Sequence, residues 1–370
     1  MNTNKNNLIG RPFDDLVSFF QGIGEKKYRA KQLMDWLYHR SIFDFDSMTD
    51  LNKDLRQYLD QNYSLHIPMS TKKERSFDGT IKWMIDQGGS QAIEAVYIPE
   101  KNRGTLCVSS QIGCLIDCPF CATGHQGFNR NLSSAEIIGQ VLLAKQDLQN
   151  EFKRDDLITN IVFMGMGEPL ANFSETVRAT KILTDPNGFN ISRRRVTIST
   201  SGLVPQIIKL ADHVNVSLAI SLHAPFDDLR DELVPINRIH PIESLLSACW
   251  FYAKKQNLKT VTFEYTLLKN VNDLREHAKQ LAKLLKNRPA KVNLIPFNKF
   301  PGVVYEPTPP DQINEFRNIL LESGIMAITR TTRGDDIQAA CGQLSGTVNN
   351  LAKKSLRQKL KKNIKLIHSL

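Results

Sequence analysis

The chain has 370 residues, of which 41% are hydrophobic and 23% charged, and a formal net charge of +10. These values exclude a largely disordered chain and allow a large barrel with a small additional domain. The polar start lacks the apolar core of a signal peptide, and no apolar run reaches the ~18 residues of a membrane span, so we expect a cytoplasmic protein. The basic excess favours a polyanionic partner, with nucleic acid ahead of an anionic membrane surface.

The first predicted elements, over residues 11–90, are mostly helical. The segments "RPFDDLVSFFQ" and "KYRAKQLMDWLYHR" carry apolar residues at three- and four-residue spacing, and "GIG" separates them. Basic residues stand at the start of the second segment, namely Lys26, Lys27, Arg29 and Lys31. We therefore predict a small helical accessory domain over residues 1–90 that binds RNA.

From residue 92 onward, predicted strands and helices alternate. Most of the strands are short runs rich in Val, Ile and Thr, which is typical of parallel strands buried on both faces. In chain order they are "AIEAVYI", "GTLCVSS", "ITNIVFMG", "RRVTIST", "VNVSLAISL", "TVTFEYTLL", "AKVNLIPF" and "IMAITRTT". One intervening helix begins where Ser133 and Glu136 have capping-box spacing. The alternation predicts an α/β barrel or a doubly wound sheet, with the chemistry at the carboxyl ends of the strands.

Four of the six cysteines lie within "CVSSQIGCLIDCPFCATG". Cys114, Cys118 and Cys121 have the spacing C-x3-C-x2-C in the loop after a predicted strand, whereas Cys107 lies in the strand itself. In a reducing compartment such a cluster favours metal binding over disulfides. Two interpretations are open. One is a closed zinc site completed by His125 or Cys107, and the other is an iron–sulfur cluster whose three thiolates leave one iron free for S-adenosylmethionine.

The three-cysteine spacing, with Phe120 before the last cysteine, resembles that of the radical SAM superfamily, whose core is a partial (βα)6 barrel. Six blocks then resemble successive motifs of the RlmN family of dual-specificity RNA methyltransferases, in family order between residues 107 and 344. They are "CVSSQIGCLIDCPFCATGHQGFNRNL", "FMGMGEPLAN", "RRRVTISTSGLVP", "LAISLHAP", "NLIPFN" and "GDDIQAACGQL". The resemblance implies an α/β fold in which this barrel carries a small helical N-terminal domain and a basic C-terminal tail.

The resemblance also implies methylation of C2 of adenosine in 23S rRNA and in tRNA. C2 is electron-poor, and no side-chain base would make it attack a methyl group at neutral pH, so a radical route explains why a methyltransferase carries a redox cluster. The related Cfr family methylates C8 of the same rRNA adenosine, and "QGFNRNL" is the RlmN form. The alternative outside the enzymes is a zinc-stabilised RNA-binding protein. A Rossmann-type methyltransferase is disfavoured because no G-x-G-x-x-G follows an early strand.

The reactive residues are assigned through the same resemblance. Cys114, Cys118 and Cys121 would hold one [4Fe-4S] cluster, and two S-adenosylmethionine molecules would be used per turnover. Cys341 would carry the methyl group as S-methylcysteine and become attached to the RNA in a transient protein–RNA adduct. Cys107 would resolve that adduct through a transient disulfide with Cys341.

Glu94 matches the proton acceptor of the family. A glutamate in an apolar strand is costly to bury unless it is paired or functional, and the alternative is a solvent-facing residue on an edge strand. The residues that match the family's S-adenosylmethionine contacts stand at successive strand ends, and Gly167 and Glu168 would bind the amino group. The complete set is Gly167, Glu168, Ser199, Ser221, Leu222, His223 and Asn298. Each also has a structural interpretation, such as a core histidine for His223.

We divide the chain into the helical domain at 1–90, a radical SAM barrel core at 91–345 and a basic C-terminal tail at 346–370. From Lys353 onward the tail holds seven Lys or Arg and no acid. We expect the N-terminal helices, Arg193–Arg195 and the tail to contact RNA phosphates, although the tail alone also fits a solvated basic helix. The expected partners are 23S rRNA, tRNA and an electron donor such as a flavodoxin, and we expect a monomer.

Overall fold

The computed structural model describes residues 5–346. The predicted basic tail therefore lies outside the described residues from position 347 onward. Within the described range the strands are β1 (Asn6–Asn7), β2 (Tyr63–Ser64), β3 (Ser70–Arg75), β4 (Ile81–Asp86), β5 (Ala92–Glu100), β6 (Arg103–Cys107), β7 (Gln111–Gly113), β8 (Phe128–Asn131), β9 (Asn160–Phe163), β10 (Val196–Thr200), β11 (Ser217–Ser221), β12 (Val261–Leu267), β13 (Ala290–Pro296) and β14 (Met326–Thr329). The α-helices in the same range are α1 (Phe13–Gly22), α2 (Tyr28–Met34), α3 (Lys53–Asn62), α4 (Ala122–Gln126), α5 (Ser134–Phe152), α6 (Phe173–Thr184), α7 (Val204–Leu210), α8 (Asp227–Leu233), α9 (Ile242–Lys255), α10 (Arg275–Leu285) and α11 (Pro310–Glu322).

The N-terminal helices form where apolar spacing predicts them. α1 buries Leu16 and Phe20 one turn apart, and a π-helical turn over Asp35–His39 continues α2. Asn52 caps α3 by accepting a hydrogen bond from the backbone N–H of Leu55 at 2.7 Å. The helical prediction is thus confirmed for α1 to α3.

The helical prediction is wrong for residues 63–90, where β3 and β4 form an antiparallel hairpin. β4 buries Ile81, Trp83 and Ile85, which alternate along the strand and so lie on one face. Asp78 and Gly79 lie in the connecting turn, and Gly79 has a φ of 85° that suits a hairpin. The Asp-Gly pair, next to a strand in which apolar and polar residues alternate, therefore indicates a hairpin and not a helix.

The core of the described chain is one sheet of ten strands in the order β14-β13-β12-β11-β10-β9-β6-β5-β4-β3. The run from β6 through β9 to β14 is parallel, and helices connect its strands. This arrangement confirms the partial (βα)6 barrel, and all eight predicted strands are present. β5 is antiparallel to β6 because residues 101–102 form a short turn that leaves no room for a crossover helix.

The helical region is attached to the barrel through α5, which begins with the predicted Ser133–Glu136 capping box. The hydroxyl of Ser134 donates to the backbone oxygen of Gly10 at 2.7 Å. Gly10 has a φ of 79°, and a Cβ there would overlap the backbone of Ala135, so only glycine fits this contact. None of the helices between residues 5 and 346 is long and apolar enough to cross a membrane.

The register of the strands determines which side chains share the inner face of the barrel. Aligned residues of neighbouring strands point to the same side of a sheet, and the side alternates at every residue. The shared inner face includes Cys107 on β6, Val162 on β9, Ser199 on β10, Ser221 on β11, Glu264 on β12 and Asn293 on β13. On β5, Val96 is aligned with Cys107, so Glu94 lies on this face as well. Parallel pairing thus brings together residues that are far apart in the sequence.

Candidate active site

The cluster loop, defined as residues 114–121, follows β7 and leads into α4. Its thiols, Cys114, Cys118 and Cys121, line one cavity at the carboxyl ends of the barrel strands. Burial raises the pKa of the Cys114 thiol to about 12, and the neighbouring Cys121 contributes further. Burial and the neighbouring cysteines also hold the pKa of the Cys118 thiol well above its ordinary value. The three thiols are therefore close together in an apolar environment, where a bound cationic group would stabilise the thiolates.

Zinc and an iron–sulfur cluster make different demands on these residues. In residues 5–346, no three Cys, His, Asp or Glu side chains are placed to bind one metal ion. The Nε2 atom of His125 lies 2.8 Å from the backbone oxygen of Pro119, so its ring is held by the loop instead of serving as a ligand. A zinc site needs four donors around one ion, whereas each thiolate of a cubane cluster binds a separate iron. The three thiols line one cavity and can supply the three ligands of such a cluster.

Cys341 lies in residues 334–346, here called the Cys341 segment, and its side chain lines the same cavity. The backbone N–H of Ala122, directly after the cluster loop, donates to the oxygen of Gly342 at 2.8 Å. The Nδ2 atom of Asn298 donates to the backbone oxygen of Cys341 at 3.3 Å. The Cys341 segment is therefore fixed to the cluster loop on one side and to the chain after β13 on the other.

Cys107 is a free, buried thiol at the carboxyl end of β6 and faces the inside of the barrel. Burial, and secondarily the charge of Cys341, raise the pKa of the Cys107 thiol to about 12. Cys341 is also free and is solvent-exposed. The two cysteines thus interact electrostatically, and Cys341 is accessible to solvent whereas Cys107 is buried.

Glu94 is buried on the inner face, which contradicts the interpretation of a solvent-facing residue on an edge strand. Its Oε1 atom pairs with the ammonium of Lys82 at 3.2 Å, and its Oε2 atom accepts the backbone N–H of Ser345 at 2.8 Å. It lies two residues from Val96, the strand partner of Cys107. Glu94 therefore lies on the same face of the sheet as Cys107 and holds the end of the Cys341 segment, although it does not line the cavity.

Gly167 and Glu168 follow β9 and line the cavity beside the cluster loop. Gly167 has a φ of 96°, and a Cβ there would overlap the side chain of Gln111, so the chain can approach β7 only with glycine. The Glu168 carboxylate accepts the backbone N–H groups of Leu170 at 2.9 Å and Ser201 at 2.7 Å. Burial raises the pKa of the Glu168 carboxyl, and these donors oppose that effect. The oriented carboxyl group lines the cavity, where an ammonium group can bind.

Ser199, Ser221 and His223 also line this cavity, at the carboxyl ends of β10 and β11. The Nδ1 atom of His223 accepts the backbone N–H of Thr266 at 3.0 Å. Burial lowers the pKa of His223 to about 3, so the ring is neutral and its Nε2 atom is the donor. The Nδ1 atom of His223 thus has a structural partner, as a core histidine would, while its ring still lines the cavity.

Leu222 and Asn298 do not line the cavity. The Leu222 side chain is fully buried in the core, and its backbone oxygen accepts Arg230 Nε at 3.0 Å. Asn298 is held between Cys341 and Thr332, whose hydroxyl lies 3.2 Å from the Asn298 Oδ1 atom. Their predicted contacts with S-adenosylmethionine remain predictions.

Arg230, on α8, is a fully buried cation that sequence reasoning missed. Its Nη2 atom donates to the backbone oxygens of Ser201 at 2.7 Å and Ser221 at 3.1 Å, and its Nη1 atom donates to Asn237 at 2.8 Å. Burial lowers its pKa to about 10. Arg230 joins the loops after β10 and β11, but its sequence context, "DDLRDEL", reads as an ordinary exposed helix.

Two charged residues of the cavity, Glu264 on β12 and Arg330 after β14, were also missed. Glu264 lies in "TVTFEYTLL", so it is an acid within an apolar strand, the same signal that singled out Glu94. Arg330 follows a short strand without any distinguishing pattern. Glu264 was detectable from the sequence, whereas Arg330 was not.

Arg193–Arg195 form an exposed 3-10 turn directly before β10. This turn lies at the amino end of the strand, whereas the cavity lies at the carboxyl ends. A phosphate contact at these arginines stays a prediction, and an RNA that makes it must reach beyond the mouth of the barrel.

Comparison with known proteins gives consistent matches. Residues 6–65 match the family model of the ribosomal RNA large subunit methyltransferase N-terminal domain, and residues 108–285 match that of the radical SAM superfamily. The chain is 50% identical over 357 residues to the dual-specificity RNA methyltransferase RlmN of Pseudomonas putida (strain W619), covering 96% of this chain and 94% of that protein. It is 51% identical over 351 residues to the protein of the same name from Francisella tularensis subsp. novicida (strain U112), covering 94% and 95%. The crystal structure of a radical SAM methyltransferase from Sphaerobacter thermophilus has a TM-score of 0.85 at 42% identity, covering 92% of this chain and 99% of that one.

Proposed function

Because the chain belongs to the RlmN family of dual-specificity RNA methyltransferases, we propose that it methylates C2 of adenosine in 23S rRNA and in tRNA. It is an S-adenosylmethionine-dependent methyltransferase with the radical SAM fold. One observation carries the proposal at the level of residues. A single cavity is lined by the three thiols of the cluster loop and by Cys341, and Cys107 faces the barrel interior nearby.

The cluster loop holds one [4Fe-4S] cluster through Cys114, Cys118 and Cys121. When bound, such a cluster supplies the electron for reductive cleavage of S-adenosylmethionine. The Glu168 carboxylate and the backbone at Gly167 bind the amino group of that molecule, because they present a buried anion beside the cluster loop. Ser199, Ser221 and His223 contact the rest of the S-adenosylmethionine molecule. Leu222 and Asn298 are its two further contacts, through their backbone or side chain.

Cys341 carries the methyl group. Its thiolate displaces the methyl group of a first S-adenosylmethionine, so that a sulfur–carbon bond forms and S-adenosylhomocysteine leaves. A second S-adenosylmethionine is needed because the S-methyl carbon must lose one hydrogen atom before it can bond to C2 of the base. The exposed position of Cys341 lets the RNA become attached to it.

Cys107 releases the product. Its thiolate attacks the Cys341 sulfur, and the electron pair of the breaking carbon–sulfur bond passes to the methylene carbon, which takes up a proton to become the methyl group. An external thiol afterwards reduces the disulfide. Glu94 accepts the proton that leaves C2, and its position near Cys107 supports this role. Lys82 pairs with Glu94, so this buried side chain has a counter-ion.

The remaining assignments concern organisation and partners. We assign residues 1–90 to RNA binding, with the hairpin of β3 and β4 joined to the barrel sheet, and residues 91–345 to catalysis. The partners are 23S rRNA, tRNA and an electron donor of the flavodoxin type, and the enzyme acts as a cytoplasmic monomer.

The direct test identifies the product. The protein is reconstituted with iron and sulfide without oxygen, supplied with S-adenosylmethionine, a reductant and unmodified rRNA or tRNA, and the nucleosides are analysed by mass spectrometry. We expect 2-methyladenosine. 8-Methyladenosine would keep the mechanism and assign the activity of the Cfr family. Absence of both products, with zinc in the purified protein, would support an RNA-binding protein without catalysis.

A further inference from the structure

Three polar side chains form a group on the inner face that the proposed mechanism does not use. Glu264 on β12 is aligned with Asn293 on β13, and Arg330 follows β14 at the same opening of the barrel. Glu264 and Arg330 line the cavity that also contains the Cys341 side chain. We refer to Glu264, Asn293 and Arg330 as the Glu264 group.

The Glu264 carboxylate is only half satisfied. Its Oε1 atom accepts Asn293 Nδ2 at 2.9 Å, but its Oε2 atom has no hydrogen-bond partner among the described residues. Arg330 Nη1 lies 3.8 Å from that oxygen, which is an ion pair without a hydrogen bond. Glu264 is 4% exposed. A buried acceptor without a donor is costly, so this oxygen is poised for a donor that enters the cavity.

Arg330 provides the complementary donor. Among the described residues that line this cavity, Arg330 is the only Arg or Lys. Its backbone N–H donates to the backbone oxygen of Leu294 at 2.8 Å, which fixes its position. Its guanidinium interacts electrostatically with Cys341, Glu264 and Cys107, whose ionised forms raise the pKa of Arg330. The cavity therefore presents a fixed acceptor and a fixed donor side by side, next to the thiols that handle the methyl group.

We propose that Glu264 and Arg330 recognise the target base, with Glu264 Oε2 accepting from the exocyclic amino group of adenine and Arg330 donating to a ring nitrogen. This inference rests on the proposed function. Adenine presents an amino donor beside a ring acceptor, whereas guanine places an acceptor oxygen where the carboxylate would lie. The pair thus selects adenine and repels guanine.

Two adenines have to be accommodated near this cavity, that of the target nucleotide and that of S-adenosylmethionine, and the candidate cofactor contact Ser221 is the strand neighbour of Glu264. The target base is favoured because Glu264 and Arg330 line the same cavity as the Cys341 side chain. C2 of the target base must reach the methyl carbon on Cys341, so its recognition elements belong beside that cysteine.

The test compares RNA that carries adenosine at the target position with RNA that carries purine riboside, which lacks the exocyclic amino group but keeps C2–H. The measured quantity is the ratio of kcat/KM for methylation of the two RNAs. For the wild type we expect a ratio of about 10 to 100, the effect of one hydrogen bond to a charged group. In Glu264→Ala we expect the ratio to fall to near 1. Comparing ratios between variants cancels the intrinsic reactivity of the analogue.

Two further variants separate base recognition from cofactor binding. Glu264→Gln keeps an acceptor oxygen and should retain part of the discrimination. Ser221→Ala changes the strand neighbour of Glu264 on β11, a candidate contact of S-adenosylmethionine. It should slow the formation of S-methylcysteine at Cys341 without RNA, measured on the tryptic peptide, while leaving the ratio unchanged.

Either of two results would overturn the inference. One is an unchanged ratio in Glu264→Ala. The other is a loss of RNA-free methylation of Cys341 in Glu264→Ala, which would assign the carboxylate to S-adenosylmethionine. A wild type that forms no methyladenosine at all would instead remove the proposed function, and the inference with it.

Discussion

The cluster loop and the Cys341 segment bring thiols to the same cavity, but they are held in different ways. The cluster loop is closed by short local hydrogen bonds, such as Cys121 N–H to Cys118 O at 3.2 Å and Cys114 N–H to Gly127 O at 2.9 Å. The Cys341 segment is held by groups distant in the sequence, including Glu94 and Asn298. The proposed metal ligands can thus be encoded by local spacing, whereas the position of Cys341, the proposed methyl carrier, depends on contacts across the barrel.

The largest effect is expected from the cluster loop. We expect Cys118→Ser to lose the bound iron and sulfide and all RNA methylation while keeping the fold, because the loop thiols line a cavity and do not support the sheet. Iron and sulfide analysis after reconstitution, with circular dichroism, measures both. Cys249→Ala is the matched control, since Cys249 is a core residue of α9. It should keep its iron content, and equal iron in Cys118→Ser would contradict the assigned ligand.

The two cysteines assigned to methyl transfer, Cys107 and Cys341, should fail in opposite ways. Cys107→Ala is expected to form the bond to the base and then stop, because no second thiol can attack the Cys341 sulfur. A covalent protein–RNA species should accumulate and be visible on a denaturing gel. Cys341→Ala should form none, since it has no carrier for the methyl group. A Cys107→Ala enzyme free of adduct would remove its resolving role.

The same contrast explains what could be predicted from the sequence. The cluster loop was predictable because three thiols within eight positions constrain a ligand set by themselves, and the strands were predictable because their Val- and Ile-rich runs are local. Arg230 was not predictable, because its partners are backbone oxygens of two other loops. The hairpin of β3 and β4 was missed although Asp78 and Gly79 signal it, since a helical pattern was extended past α3.

Glu94 distinguishes a chemical role from an anchoring role in the Cys341 segment. Glu94→Gln keeps an acceptor for the backbone N–H of Ser345 but cannot serve as the carboxylate base. We expect RNA methylation to fall by about 100- to 10,000-fold, as for loss of a general base, while RNA-free methylation of Cys341 is unchanged. Single-turnover kinetics with mass spectrometry of both products measures the two steps. Normal RNA methylation in Glu94→Gln would leave Glu94 with anchoring alone.

Lys82 provides the control for that variant, because its ammonium pairs with Glu94 at 3.2 Å. In Lys82→Met the buried carboxylate loses its counter-ion, so we expect the free energy of unfolding to fall by about 3 kcal/mol. The double variant Lys82→Met/Glu94→Gln should recover part of that loss, because it no longer buries an unpaired charge. Equal stability of the wild type and Lys82→Met in urea unfolding would show that this ion pair does not stabilise the buried Glu94.

The smallest expected effect separates two interpretations of Asn298. If Asn298 contacts S-adenosylmethionine, Asn298→Ala should raise the KM for that molecule. The structure instead places its Nδ2 atom 3.3 Å from the backbone oxygen of Cys341, so the variant should loosen the segment. We expect the rate of RNA-free Cys341 methylation to fall by about fivefold, the effect of one neutral hydrogen bond, with an unchanged KM and iron content. A higher KM with an unchanged rate would restore the cofactor contact, and would mean that the segment is positioned by its other partners alone.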